Sequence, residues 1–91
     1  MSANITHGMN TAEVRQLAQQ LTHSASEIRT LMQRLTTQLD NAGWKGADRE
    51  RFVSDWHGHH MAALNNVIQG LEHAGQCATQ NANQQEQVSQ S

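Results

Sequence analysis

Proline is absent from the chain, and this absence constrains the fold more than any other feature of the sequence. Without proline, a helical pattern is interrupted only where glycines cluster, and the first such cluster after the N-terminus is Gly43 to Gly46. Apolar residues recur at steps of three and four on both sides of that cluster, which is the period of an amphipathic α-helix. The sequence therefore predicts an all-α fold, an antiparallel two-helix hairpin with a turn at about 42–46.

The first helix carries signals at both of its ends. Asn10 is placed to accept a hydrogen bond from the backbone N–H of Glu13, whose side chain can reach back, as in a capping box. Helix 1 is therefore predicted over about 11–41. Gly43 is expected to take the left-handed conformation that ends it.

The second helix is predicted to begin at about residue 47. Asp48 and Glu50 then fall in its first turn, where the helix dipole favours negative charge. The periodic pattern continues to about residue 80, and the segment from there to residue 91 is rich in glutamine, so a polar, flexible tail is expected. A chain of 91 residues is too short for two independent cores, so residues 1–91 are predicted to form a single domain.

The apolar stripes of the two helices are wider than one facing helix can bury. Only 36% of the residues are hydrophobic and 3% are aromatic, so the core of a lone hairpin is thin. A second copy, or a similar hairpin, that covers the remainder gives a four-helix bundle, and we expect a dimer. Gly70, Ala74 and Ala78 lie four residues apart and predict a close helix approach there. The residues expected to form the hairpin and dimer core are Val14, Leu17, Leu21, Ile28, Leu31, Leu35, Leu39, Phe52, Trp56, Ala63, Val67, Leu71, Ala74 and Ala78.

Charge and hydropathy exclude several classes of function. The formal net charge is −2, with basic and acidic residues mixed along the chain, so the basic patch that nucleic acids require is missing. Residues 1–10 lack the basic and apolar regions of a Sec signal peptide, and no apolar run reaches the length of a membrane span. We therefore expect a protein made in the cytoplasm, without a Sec signal and without a membrane span. Cys77 is the sole cysteine, which rules out an internal disulfide.

Two groups of residues offer alternative chemistry. His57 and His60 are three apart and could share a zinc or copper ion, although two imidazoles alone do not make a tight site. His73 and Cys77 are four apart, but a Cys/His nucleophile needs an orienting group and a concave pocket that a hairpin lacks. We therefore predict no enzymatic activity and no cofactor, with metal binding through His57 and His60 as an alternative function.

The predicted corner contains the tripeptide Trp44-Lys45-Gly46, and two aromatic residues, Phe52 and Trp56, follow it on helix 2. This arrangement resembles the Trp-X-Gly (WXG) family of early-secreted-antigen-like proteins, which are helical hairpins of about this length. The resemblance covers nearly the whole chain. It implies export through a bacterial type VII (Esx) secretion system as a homodimer or heterodimer, driven by an FtsK-like ATPase. In that family the turn of one protomer and the tail of the other form the export signal.

The tail departs from the family pattern. Members that carry their own signal usually have a tyrosine four residues before an acidic residue, whereas this chain has no tyrosine and Ala82 stands four residues before Glu86. We therefore predict a substrate or adaptor that supplies the Trp44-Lys45-Gly46 half of the signal. A related hairpin, or a larger effector that the chain escorts in virulence or in competition between bacteria, then supplies the tail half. The remaining alternative is a plain helical dimerisation module.

Overall fold

The computed structural model of the protein describes residues 9–90, with side chains as far as residue 88. Within that part of the chain the structure is helical and contains no strand. Helix α1 spans Thr11–Asn41, and a corner at residues 42–46 leads into helix α2, Ala47–Asp55. A π-helical turn, Trp56–His60, joins α2 without a break to helix α3, Met61–Gln90. The predicted all-α hairpin is therefore confirmed, with α1 as one arm and α2, the π-turn and α3 as the other.

The ends of α1 match the predicted bounds, and the cap at its start has the predicted form. The backbone N–H of Glu13 donates to Asn10 Oδ1 at 3.1 Å, and Asn10 itself has an extended backbone. At the other end the prediction for Gly43 was wrong. Ala42 ends the helix in an extended conformation, and among the described residues only Gly46 has a positive φ.

Helix α3 continues ten residues further than predicted, as far as Gln90. The reason is tertiary contact with the start of α1. Ala82 is fully buried, and the Glu86 carboxylate pairs with the Arg15 guanidinium across the two arms. Such contacts stabilise a glutamine-rich helix whose own propensity is modest. Two parts of the predictions lie outside the described residues: Ser91, the last residue of the predicted tail, and residues 1–8, most of the N-terminal segment that lacks the features of a Sec signal.

The two arms meet along a line of residues spaced seven apart, which we call the seam. Each seam residue is buried, and Ala25 and Ala82 are completely inaccessible to solvent. A seven-residue repeat keeps one stripe of each helix against the other over their whole length. The seam consists of Ala18, Ala25 and Met32 on α1 and of Ile68, Gly75 and Ala82 on α3.

Small side chains bring the arms together, but at a different glycine from the one that the sequence suggested. A Cβ added to Gly75 would lie 2.9 Å from Thr22 Oγ1 and 3.1 Å from the Ala18 carbonyl oxygen, whereas one added to Gly70 would meet nothing within 4 Å. The close approach therefore occurs at Gly75. At this level the larger apolar side chains stand beside the seam, whereas nearer the corner Met32 and Ile68 lie on it.

The hairpin is a narrow rod measuring 66 × 17 × 15 Å. Its radius of gyration of 20.1 Å is well above the value of about 12 Å typical of a compact domain of this length. Between residues 9 and 90, none of the helices is both long enough and apolar enough to cross a membrane.

Candidate functional site

The corner presents an aromatic pair to solvent. The rings of Trp44 and Phe52 pack with their centroids 5.6 Å apart and their planes tilted by 56°, a favourable aromatic geometry. Both side chains remain accessible, Trp44 at 39% and Phe52 at 47%, and Lys45 beside them is exposed. Trp44 is therefore not a core residue of a single hairpin. Its large apolar surface is only partly used by the contact with Phe52.

Gly46 is required by its backbone conformation. Its φ of 115° and ψ of −177° place it in a region that only glycine adopts readily. A Cβ built there would meet no heavy atom within 4 Å, so the requirement for glycine comes from the backbone conformation and not from a lack of space. Gly46 instead begins α2, and its carbonyl oxygen accepts from the Glu50 N–H at 3.1 Å. The third position of Trp-X-Gly thus fixes the direction in which the second arm leaves the corner.

An apolar pocket of about 130 Å³ opens next to this aromatic pair. Leu35 and Leu39 line it from α1, and Phe52 and Trp56 line it from the second arm. Trp56 is half-buried, and its Nε1–H donates to Thr36 Oγ1 at 2.8 Å. The corner therefore combines exposed aromatic surface with a recess of the size that accepts one apolar side chain.

One side of the hairpin is apolar along most of its length. Leu17, Leu31 and Val67 each immediately precede a seam residue. Because the arms are right-handed helices that run in opposite directions, the residues preceding the seam lie on the same side of both arms. We call this side the apolar face. Its exposed residues are Leu17, Leu31, Leu35, Phe52 and Val67, and its half-buried residues next to the seam are Val14, Leu21, Ile28, Leu64, Leu71 and Ala78.

The predicted core residues mostly belong to this face and not to the seam. The structure brings them together on one side of the hairpin, and sequence reasoning missed Ala18, Gly75 and Ala82, the small residues against which the arms close. The role of the predicted core residues in a core shared with a second hairpin stays a prediction. In the single chain, the predicted core residues that are half-buried are Val14, Leu21, Ile28, Leu39, Trp56, Leu71 and Ala78. Those that are exposed are Leu17, Leu31, Leu35, Phe52, Ala63, Val67 and Ala74.

The opposite side of the hairpin is polar and carries the ion pairs between the arms. Arg29 pairs with Glu72 at 3.3 Å, and Arg15 pairs with Glu86. The hydrogen bond from Arg15 lowers the pKa of Glu86, and a further bond from Thr11 lowers it too, while desolvation acts in the opposite direction without reversing the shift. The charges of this side are therefore largely engaged within the chain.

None of the candidate residues for metal or nucleophilic chemistry lines the corner pocket. His57 and His60 are both exposed within the π-turn, and no group of three or more metal-binding side chains forms among residues 9–90. The ring of His60 lies 6.3 Å from that of Trp56. Cys77 Sγ is 3.5 Å from His73 Nε2 on the surface of α3, an ordinary contact between side chains one helical turn apart.

The fold and the corner together define a class of protein, a small helical hairpin with Trp-X-Gly at its interhelical turn. The chain matches the family described as WXG100, proteins of 100 residues with WXG, across residues 8–90, and it belongs to that family. Members are small helical secreted proteins that are associated with type VII secretion and typically pair with one another. In comparisons with curated proteins and with solved structures, no match to the chain was found.

Proposed function

We propose that this chain is a non-enzymatic substrate or adaptor of a bacterial type VII secretion system. It is made in the cytoplasm, pairs with itself or with a related WXG hairpin through its apolar face, and is exported by that system. The observation that carries the proposal is the corner, where Trp44 stays 39% exposed on Phe52 although a buried position would stabilise it more. A solvent-accessible tryptophan on a rigid turn is a typical anchor for a protein partner.

The apolar face supports pairing as a four-helix bundle. Leu17 is 53% exposed and Val67 is 49% exposed, and they lie on the same side of the two arms. A row of half-exposed aliphatic side chains along a rod of this length is unusual for a monomer and suits a second hairpin laid alongside. Burying these side chains gives the thin seam of the single chain a wider core.

The tail supports a division of the export signal between two proteins. Glu86, the acidic residue nearest the position where the family signal is expected, is already paired with Arg15 of its own chain. Ala82, four residues earlier, is fully buried against α1. These residues hold the tail against its own hairpin. We therefore propose that this chain supplies the Trp44-Lys45-Gly46 half of the export signal. The partner hairpin, or a larger effector, offers the tail half to an FtsK-like ATPase.

The experiment compares export with stability. The chain is expressed in a strain that has a working type VII system and no related hairpin genes, alone and with a related hairpin. Export is expected only with the partner, and Trp44→Ala is expected to abolish it while circular dichroism still shows a helical protein and sedimentation still shows a paired one. Trp44→Phe is the matched control, since it retains an aromatic ring on Phe52.

Two results would contradict this function. A melting loss in Trp44→Ala that accounts for all of the lost export would return Trp44 to a packing role. Export of the lone chain that is lost on Val88→Ser would show that its own tail is read, because Val88 is 69% exposed and its replacement leaves the buried Ala82 in place.

A further inference from the structure

The π-turn at Trp56–His60 contains one residue more than a regular α-helical turn. The N–H of Met61 donates to the carbonyl oxygen of Trp56, five residues earlier, where an α-helix would use the residue four earlier. Single π-turns of this kind absorb an extra residue inside an otherwise continuous helix, and they occur often at functional sites. The turn lies between the corner and the part of α3 that forms the seam.

The extra residue changes which side chains face α1. Ile68 and Gly75 lie on the seam, and Met61, seven residues before Ile68, is half-buried against the same cluster. In an unbroken α-helix, the residues four and seven positions before Met61, His57 and Ser54, would face α1. Both are instead exposed. The half-buried residues are instead the ones immediately before them, Trp56 and Val53. Compared with an unbroken continuation of α3, the whole of α2 is therefore rotated about the helix axis by one residue, about 100°.

This rotation positions the aromatic residues of the corner. Trp56 reaches the space between the arms, where its Nε1–H donates to Thr36 Oγ1 and the Thr36 hydroxyl donates to the Met32 carbonyl oxygen, both at 2.8 Å. Phe52, four residues before Trp56, then meets the Trp44 ring and closes the pocket with Leu35. An unbroken α-helix would turn Phe52 about 100° away from this place.

We propose that the π-turn keeps the corner correctly oriented on α1 by absorbing one extra residue between Trp56 and Met61, with Thr36 and Trp56 as the positioning residues. The π-turn is the means by which the helix accommodates its extra residue while keeping Trp56 on α1. That the corner is a recognition surface rests on the proposed function. The geometric claim is independent of it and can be tested on the purified protein.

The test uses three changes of chain length. Deletion of Gly58 leaves Trp56 four residues before Met61, so a regular α-helix then keeps the same faces towards α1. Insertion of an alanine after Gly58 adds a second extra residue, which a single π-turn does not absorb. Deletion of Gln69, an exposed residue within regular helix, is the matched control, because it shifts Met61 and Ile68 off the seam.

Two signals in nuclear magnetic resonance spectra report the geometry: slow solvent exchange of the Trp56 indole N–H and cross-relaxation between the Trp44 and Phe52 rings. The Gly58 deletion is expected to keep both signals, with an unchanged or higher melting temperature. The insertion is expected to lose both, and the Gln69 deletion to lower the melting temperature. Loss of both signals in the Gly58 deletion, or their survival in the insertion, would overturn the proposal.

Substitutions at Thr36 test the positioning role without changing the chain length. Thr36→Val removes the hydrogen-bond acceptor at nearly constant shape and is expected to speed exchange of the Trp56 indole N–H at least tenfold, whereas Thr36→Ser restores slow exchange. Equal exchange in both variants would refute the role of Thr36. In the export assay the Gly58 deletion should behave as the native chain does. If the native chain is not exported with any partner, the proposed function fails while the geometric result stands.

Discussion

Replacement of Leu31 by alanine tests the apolar face as a pairing surface and also distinguishes two kinds of pair. Complete burial of a leucine side chain stabilises by about 1.5–3 kcal/mol, and 45% of Leu31 remains exposed in the single chain. Covering that part on pairing is therefore worth about 1 kcal/mol per copy of Leu31. In a symmetric homodimer the interface contains two copies, so Leu31→Ala should cost about 2 kcal/mol, a roughly 30-fold weaker Kd. In a pair with a different hairpin, the substitution removes only one Leu31 side chain from the interface, and binding weakens by about fivefold in Kd.

The assay measures the dissociation constant itself, because the buried part of Leu31 also contributes to the stability of the hairpin. Analytical ultracentrifugation over a concentration series gives Kd for the chain alone, and fluorescence titration gives it with a related hairpin. Gln33→Ala is the matched control, since Gln33 is exposed on the polar side two residues away. Equal Kd values for the two variants, or a strictly monomeric native chain that no related hairpin binds, would refute pairing through the apolar face.

Three further predictions follow from local geometry. Gly46→Ala forces a side chain into a glycine-only conformation and should lower the free energy of unfolding by about 1–3 kcal/mol, whereas Gly43→Ala, at a position without positive φ, should not; chemical denaturation compares them. Gly70→Ala should raise the free energy of unfolding by about 0.5–1 kcal/mol through helix propensity. Gly75→Ala should lower it, because the added Cβ would lie 3.1 Å from the backbone of the other arm. An equal gain in both variants would contradict the close approach at Gly75. The pKa of Glu86 is lower in the folded protein than its ordinary value near 4.5. The ion pair of Glu86 with Arg15 therefore contributes its full stabilisation above that value, and this stabilisation is lost as pH falls through the folded pKa. Melting curves of the native chain and of Glu86→Gln should therefore converge in acid, and a constant difference between them would count against the ion pair.

Local signals in the sequence identified the arms of the hairpin. The Asn10 cap and the glycines of the corner fix the bounds of α1 and the start of α2, because caps and turns depend on a few neighbouring residues. The choice between Gly43 and Gly46 as the residue of positive φ depends on how the second arm leaves the corner, and no local pattern contains that information.

Features that depend on contact between the arms were not predictable in the same way. Helical periodicity selects the stripe with the most apolar side chains, so it identified Leu17 and Val67 beside the seam and passed over Ala18 and Gly75, whose small size allows the close approach. The π-turn was hidden because Trp56 and Ala63 also fit one stripe of an unbroken helix. The bond from Trp56 to Thr36 that accompanies the turn joins residues on different arms.

The dimensions of the hairpin bear on how a folded protein could pass through a membrane conduit. Seen end-on, the rod presents a cross-section of only 17 × 15 Å, against a length of 66 Å. A second rod laid along the apolar face doubles one of the two short dimensions and leaves the length unchanged. If the proposed pair is exported with its long axis parallel to the conduit, the opening that it requires is set by helix diameters and not by the length of the rod. The corner lies at one end of the rod, so in that orientation it is either the first part of the hairpin to enter or the last.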